Sequence, residues 1–368
     1  MNSIATTEQD LLTALQTRGV RLLNPSQEHV SRRGGAGPSD HQALVINGET
    51  IMVPVHTGAA MYSPFTLQED EQRAHKLLRD GIPLTEVGFA QSPGFYQRQT
   101  ADGIPYHQIA TLHGTDVLAT TVLQTCIRYE KRSKTCKFCA IGQSLAAGRT
   151  IAYKTPAMLA EVARAAVELD GVKHMVMTTG TPASPDRGAK ILCESVAAVK
   201  TAVDLPIQVQ CEPPDDPAWF QRLREAGADA LGMHLEVISP ELRRSIMPAK
   251  AEVTVTQYMQ AFRDAVAVFG RGQVSTYILA GLGDSRETIL ETCTELLELG
   301  VYPFVVPFVP IRGTPLEDHP PPDSEFMTAI LQPLGRAIGA AGLHSSDIKA
   351  GCGRCGACST QSRYETAS

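Results

Sequence analysis

From about residue 115 onward, short apolar runs alternate with longer amphipathic stretches in a rhythm that predicts β/α units. The apolar runs Leu118 to Thr125, Val172 to Thr178, Pro206 to Cys211, Asp229 to Val237, Gln273 to Ala280 and Tyr302 to Val309 read as six strands. Helical patterns fill the gaps. Pro156 to Leu169 starts with proline in a first turn, and Ser285 to Leu299 carries Ile289, Leu290, Leu296 and Leu297 on one face before Gly300. Strands separated by helices favour right-handed crossovers and a parallel sheet. Six such units in this length predict an α/β fold, a partial (β/α)6 TIM-like barrel; a complete eightfold barrel needs more chain.

Residues 1–114 carry a different pattern and read as an N-terminal accessory region. It has a polar opening, a hairpin from Leu44 to Val55 around Asn47-Gly48, and a charged helix near Gln68 to Asp80. Residues 115–316 read as the barrel. Residues 317–368 read as a C-terminal extension: the prolines Pro320 to Pro322, one helix from about Asp323 to Ala340, then a Gly/Cys-rich end.

The chain has 368 residues, 43% of them hydrophobic and 20% charged, enough to bury a large core, so disorder as the main state is excluded. No run approaches the ~18 apolar residues of a membrane span. Met1 to Leu12 lacks a basic leader and an apolar core, so a cytoplasmic, reducing location is expected. Nine cysteines then point away from a disulfide framework and toward metal chemistry. A net charge of −6 argues against a general nucleic-acid binder, because phosphate neutralisation needs a positive surface.

Cys126, Cys136 and Cys139 follow directly after the first barrel strand, spaced C-x9-C-x2-C. The close pair can grip one cluster edge while Cys126 reaches it from the strand end. An iron–sulfur cube on three protein sulfurs leaves one iron free for a small molecule, whereas a structural zinc site is closed by a fourth ligand; His113 is one such candidate. Around the thiols lie Arg128, Lys131, Arg132, Lys134 and Lys137. Their charge favours thiolates and would attract an acidic electron donor such as flavodoxin or ferredoxin.

This arrangement resembles the radical S-adenosylmethionine (radical SAM) enzymes, in which three cysteines after strand one hold a [4Fe-4S] cluster. In that family S-adenosylmethionine chelates the fourth iron and is cleaved by an electron to a 5′-deoxyadenosyl radical. The commonest family spacing is C-x3-C-x2-C. Lengthening the first gap to nine residues costs only about 1 kcal/mol of loop closure.

The resemblance implies roles at other strand ends. Phe138 stands where the family has an aromatic residue near the adenine. Thr179, Gly180 and Thr181 resemble the Gly-Gly-Glu region that meets the methionine amino group, without its acidic residue. Glu236, with Arg244 on the following helix and Arg243 as the alternative, resembles the biotin synthase and lipoyl synthase branch, where an acidic residue and an arginine hold the cofactor. Gly281 and Gly283 permit close backbone approach to a ligand. Val309 lies in a sixth-strand string, Pro307 to Leu316, resembling the family's adenine pocket. Gln210 and Glu212, at the third strand end, are candidates for substrate contact.

Cys352, Cys355 and Cys358 form C-x2-C-x2-C among small residues, part of a ferredoxin-type ligand pattern. They are expected to hold a second iron–sulfur cluster, with an open iron or a distant ligand such as Cys193, Cys211, Cys293 or His344; structural zinc is the alternative. The long first gap, the strand-six string and this tail together resemble radical SAM proteins encoded beside nitrilases in bacterial clusters. The resemblance implies hydrogen abstraction from a small organic substrate in a biosynthetic step linked to nitrile metabolism. Two other functions stay open: sulfur insertion of the biotin or lipoyl synthase type, and a zinc-stabilised binding protein.

Overall fold

The computed structural model describes residues 8–23, 40–69, 75–89 and 92–365. Helix α1 (Glu8–Arg18) leads into strands β1 (Arg21–Leu22), β2 (His41–Ile46), β3 (Glu49–Pro54), β4 (Phe65–Glu69), β5 (His75–Arg79) and β6 (Ile82–Phe89), which pair in the order β1-β4-β5-β6-β2-β3. Leu12 and Leu15 of α1 pack with Leu44, Val53, Phe65 and Leu77 of the strands into a core of their own. The Asn47-Gly48 hairpin forms, with both residues at positive φ, as a two-residue turn of type I′ requires.

The charged helix expected near Gln68 to Asp80 does not form. Its described residues are the end of β4 (68–69), β5 and Asp80, which opens the turn after β5; residues 70–74 lie outside the described residues. Charge misled the reading because Lys76 and Arg79 are exposed toward the two ends of a short strand, while Leu77 and Leu78 between them are buried. The decisive local signal is Asp80-Gly81, at φ 51° and 82°, which turns β5 into β6.

The barrel sheet consists of β7 (Thr111–His113), β8 (Val117–Thr121), β9 (His174–Thr178), β10 (Ile207–Gln210), β11 (Ala230–Gly232), β12 (Val274–Ala280) and β13 (Val301–Pro307), adjacent in chain order. The six strands from β8 to β13 are parallel, as expected. A short antiparallel strand, β7, extends the sheet beyond the six expected strands. Helices α2 (Pro156–Asp170), α3 (Ala189–Ala202), α4 (Ala218–Glu225), α5 (Pro240–Ile246), α6 (Val255–Phe269) and α7 (Arg286–Leu299) cover the outside. Their ends follow the sequence. Thr155 caps α2 ahead of Pro156, Thr254 and Gln257 form a capping box on α6, and Gly300 at φ 86° closes α7.

The fourth barrel strand is much shorter than the Asp229 to Val237 run suggested. The chain leaves the ladder after Gly232, and Glu236 adopts φ 62°, a left-handed backbone unusual for a residue other than glycine. This segment is over-determined. Thr276 Oγ1 accepts from the Leu235 N–H at 2.9 Å, and the buried Asp284 carboxylate accepts from the N–H groups of Ile238 and Ser239 at 2.8 and 2.9 Å.

Helix α8 (Ser324–Ala340), capped by Asp323, forms as expected, and the chain after it crosses beneath the N-terminal ends of the barrel strands. Gly351 N–H donates to Nδ1 of His174 at 3.2 Å, and Cys352 N–H to Oε1 of Gln208 at 3.3 Å. Burial pulls His174 down to about 4, keeping that nitrogen an acceptor at neutral pH. Gln361 binds β13 through both ends of its amide, to Pro303 O at 2.7 Å and Val305 N–H at 2.8 Å. From the other side, the Met52 N–H (2.8 Å) and the Gln16 side chain (3.0 Å) both donate to Ala357 O. The tail is thus clamped between the barrel and the N-terminal sheet.

Gly351, at φ 119°, would place a Cβ 2.2 Å from the Gln208 amide. Gly351→Ala is therefore expected to destabilise the protein by about 1–3 kcal/mol, read as a lower urea midpoint together with earlier proteolysis of the tail.

Candidate active site

The first cysteine loop leaves β8 at the C-terminal mouth of the barrel and is braced on three sides. Gln124 donates to Ile141 O at 2.9 Å and to Ser144 Oγ at 3.0 Å, and Gly180 N–H donates to Leu123 O at 2.8 Å. A Cβ on Gly180 would lie 2.1 Å from Thr125 O, so only glycine allows this contact beside Cys126. Lys137 N–H binds Ile246 O at 2.8 Å. Cys136 and Phe138 pack against Val237, Met247 and Phe308, while a tight turn joins Cys139 N–H to Cys136 O at 2.9 Å.

The nine-residue gap is held by a buried ion pair. Arg128 grips Glu212 in bidentate fashion, Nε to Oε1 at 2.9 Å and Nη2 to Oε2 at 2.8 Å, and Nη1 also donates to Ala249 O. Thr181 Oγ1 adds a bond to Glu212 at 2.8 Å. Burial pushes the Glu212 carboxyl upward, but Arg128 outweighs it and holds the pKa below the ordinary value. Arg128 is consequently no part of a solvated basic loop; Lys131, Arg132 and Lys134 are the exposed cations there. Glu212 serves the loop's architecture instead of pointing at a substrate.

Cys126, Cys136 and Cys139 lie close enough to act on one another electrostatically. Burial pushes both Cys136 and Cys139 up, Cys139 to about 12, and the nearby Glu236 adds to the effect. Such thiols give up their protons to a metal more readily than to water. Glu236 pairs with Lys250, Nζ to Oε2 at 2.6 Å, and this pair faces the cysteines. Burial works against the Lys250 ammonium, yet Glu236 overrides it and raises its pKa.

A cavity of about 410 Å³ runs from this mouth into the barrel. Phe138, Glu236 and Val309 line it near the first triad, and Val176, Gln210, Tyr277 and Leu279 line its wall. Cys352, Cys355 and Cys358 also line it, together with His113. The three C-terminal thiols thus face the interior from the barrel floor. His113 lies by the second triad, its Nε2 3.5 Å from Cys358 Sγ, and does not complete the first. Cys193, Cys211, Cys293 and His344 are absent from the cavity lining; Cys211 and Cys293 are buried in the core behind the sheet.

Other expected contacts are placed elsewhere. Thr179 hydrogen-bonds the Gly180 carbonyl at 2.9 Å, and Thr181 binds Glu212, so this stretch braces the cysteine loop. Gly281 and Gly283, at φ 104° and 111°, are approached closely by Pro322 and Leu242, so the tight fit these glycines permit is to the protein's own chain. Arg243 is buried, donating to the carbonyls of Leu235, Val237 and Val253 at 2.7–2.8 Å, which withdraws it from cofactor binding. Arg244 is exposed on α5. His234 packs edge-on to Tyr277 with centroids 4.6 Å apart, and burial lowers it to about 3, so it is neutral.

Among the described residues no three His, Cys, Asp or Glu side chains gather tightly enough for a single metal ion. Soft thiolates in threes, one at each corner, match what an iron–sulfur cube takes from a protein. Both triads fit such a group by the chemistry of their donors.

The Radical SAM superfamily profile matches residues 133–296, beginning between the first and second cysteines of the mouth. The chain carries a radical SAM domain over these residues, and this is a domain of enzymes. A protein named bacteriochlorophyllide c C-7(1)-hydroxylase, from Chlorobaculum limnaeum, is 23% identical over 324 residues, 81% of this chain and 78% of its own. Lipoyl synthase from Marinobacter nauticus is 27% identical over 174 residues, 46% of this chain and 47% of its own. The solved structure of methylornithine synthase (PylB) aligns with TM-score 0.48 at 18% identity, covering 68% of this chain and 72% of that one. The radical SAM domain implies a [4Fe-4S] cluster and S-adenosylmethionine. Among the described residues no helix is long and apolar enough to cross a membrane.

Two residues of this site escaped sequence reasoning. Lys250 lies fourteen positions after Glu236, at the start of a short 3-10 helix with no motif to mark it. Tyr277 was visible in principle, because it shares strand parity with Leu279, and both line the cavity.

Removing one partner of a buried ion pair leaves the other charge uncompensated. Arg128→Met is expected to lower stability by about 3–5 kcal/mol in urea unfolding at pH 7. Because the folded pKa of Glu212 is depressed, the pair's contribution is complete above the unfolded carboxylate value of about 4.3. It is lost as pH falls through the folded value. The gap between wild type and variant should therefore narrow on acidification below about pH 4.3; a constant gap would contradict the assignment.

Proposed function

We propose that Cys126, Cys136 and Cys139 hold the [4Fe-4S] cluster implied by the radical SAM domain, with S-adenosylmethionine beside Phe138, Glu236 and Val309. Cys352, Cys355 and Cys358 hold a second iron–sulfur cluster at the barrel floor. The observation that carries this reading is one cavity lined at the mouth by Phe138 and Glu236, neighbours of the first triad, and at the floor by Cys352, Cys355 and Cys358. When bound and reduced, the first pair supplies a 5′-deoxyadenosyl radical able to take hydrogen from carbon.

The residues of the chain divide the remaining work. The Glu236 carboxylate, fixed by Lys250 and by its left-handed backbone, is placed to accept from the ribose hydroxyls or ammonium of the cofactor. Arg244, exposed beyond the mouth, is the guanidinium available for its carboxylate. Gly180, Thr179 and Thr181 act one step removed by fixing the loop. Gly281 and Gly283 are retained as backbone neighbours of the cofactor only through the turn they shape. The barrel wall excludes water.

The substrate expected here is a small organic molecule that is mainly apolar and uncharged where it reacts. Among the described residues lining the cavity no lysine or arginine occurs, and the one carboxylate, Glu236, is already paired. The similarity to a protein named as a hydroxylase accords with chemistry at a C–H bond. Electrons would arrive at the mouth, where exposed Lys131, Arg132 and Lys134 suit an acidic flavodoxin or ferredoxin. A second reading, sulfur insertion, is favoured by the three floor cysteines facing the substrate space; a sulfurated product with loss of the second cluster during turnover would select it.

After anaerobic reconstitution the protein should carry about eight irons, the sum of two four-iron clusters. Cys136→Ala should lose about half of them and all formation of 5′-deoxyadenosine from S-adenosylmethionine. Cys355→Ala should lose a similar share of iron yet still cleave S-adenosylmethionine. Cleavage by Cys136→Ala at the wild-type rate, or zinc in place of iron at both triads, would overturn the reading.

A further inference from the structure

The sulfur atoms at the barrel floor do not all have the same surroundings. Cys352 Sγ accepts from Nε2 of Gln210 at 3.3 Å, and the Tyr277 side chain lines the same cavity beside it. Both side chains belong to the cavity wall, Gln210 at the end of β10 and Tyr277 in the middle of β12. Neither is free to turn away. The Gln210 amide also donates to Gln208 Oε1 at 2.8 Å, and Gln208 is itself held by Ser275 Oγ at 3.0 Å. The Tyr277 ring is wedged between His234 and Phe304, with centroids 4.6 and 5.2 Å away. The same Gln208 oxygen accepts the Cys352 backbone N–H, so one side-chain network fixes both the thiol and its donor Gln210.

Polar hydrogens beside a sulfur, here the Gln210 amide that bonds it and the hydroxyl of the adjacent Tyr277, withdraw electron density from it. They stabilise whichever state carries more negative charge. On a cluster ligand that is the reduced state, so such groups raise the reduction potential. Burial acts the other way, disfavouring the added charge. The floor is otherwise apolar and neutral: His234 is held uncharged, and no lysine or arginine lines the cavity among the described residues.

We propose that Tyr277 and Gln210 are positioning residues that set the reduction potential of the second cluster through Cys352. They also face the substrate space, so a bound substrate would meet the same side chains that tune the metal. The proposal rests on the assignment of the second cluster made above.

The test uses full-length protein in which Cys126, Cys136 and Cys139 are all replaced by alanine, so that only the C-terminal cluster remains. Iron and sulfide content and the EPR-monitored midpoint potential are measured in this background, and again with Tyr277→Phe and with Gln210→Leu. Each is expected to keep its iron. Each should shift the reduction equilibrium toward the oxidised form by roughly tenfold, about 59 mV more negative for a one-electron couple. Tyr258→Phe, which removes a buried hydroxyl elsewhere in the core, is expected to leave the potential where it was. An iron-loaded protein whose potential is the same in all variants would overturn the proposal and leave the cluster assignment standing. A triple-alanine protein that binds no iron would overturn the cluster assignment and the proposal with it.

Discussion

An open parallel sheet that curls part-way round leaves an apolar interior with two ends, and its usefulness depends on how each end is closed. Here both closures are made by cysteine-bearing chain. The mouth is covered by the loop after the first parallel strand, tied down by the buried Arg128–Glu212 pair. The floor is covered by the C-terminal tail, which is wedged under the strand starts by Gly351 and held from below by the N-terminal sheet through Ala357. The N-terminal unit therefore belongs to the barrel's closure as well as having its own core.

Charge inside this enclosure is arranged in pairs. Glu236 with Lys250 and Arg128 with Glu212 satisfy each other, and Arg243 discharges its donors onto three carbonyls. A neutral, dry interior is what a reactive carbon-centred or adenosyl radical requires, since stray acids and water offer it other fates. The backbone strain at Glu236 is fixed by Thr276 and Asp284, neighbours with no part in holding a cofactor.

Much of the architecture was legible from periodicity. The six parallel strands and several helices announce themselves through apolar runs, Pro156, Gly300 and Asp323, all local signals. The two groups of three cysteines are visible in the sequence as C-x9-C-x2-C and C-x2-C-x2-C. What stayed hidden was non-local. The strand pair around Asp80-Gly81 looked helical because exposed charges flank its buried Leu77 and Leu78, and β7 is too short to show a pattern. Arg128 looked like one cation among several until its partner, eighty-four positions away, was brought beside it. Gly281 and Gly283 looked like a ligand-binding turn, whereas Pro322 and Leu242 already occupy the space beside them. His113 stood nearer in sequence to the first triad and folds against the second.

The central claim is that the two triads hold separate clusters at opposite ends of one cavity and that only the mouth cluster meets the cofactor. EPR of the fully reduced protein, recorded before and after adding S-adenosylmethionine, tests this most directly. Two overlapping cluster signals are expected, of which one changes its g-values on addition and the other stays fixed. A single signal, or a pair in which neither responds to S-adenosylmethionine, would contradict the account.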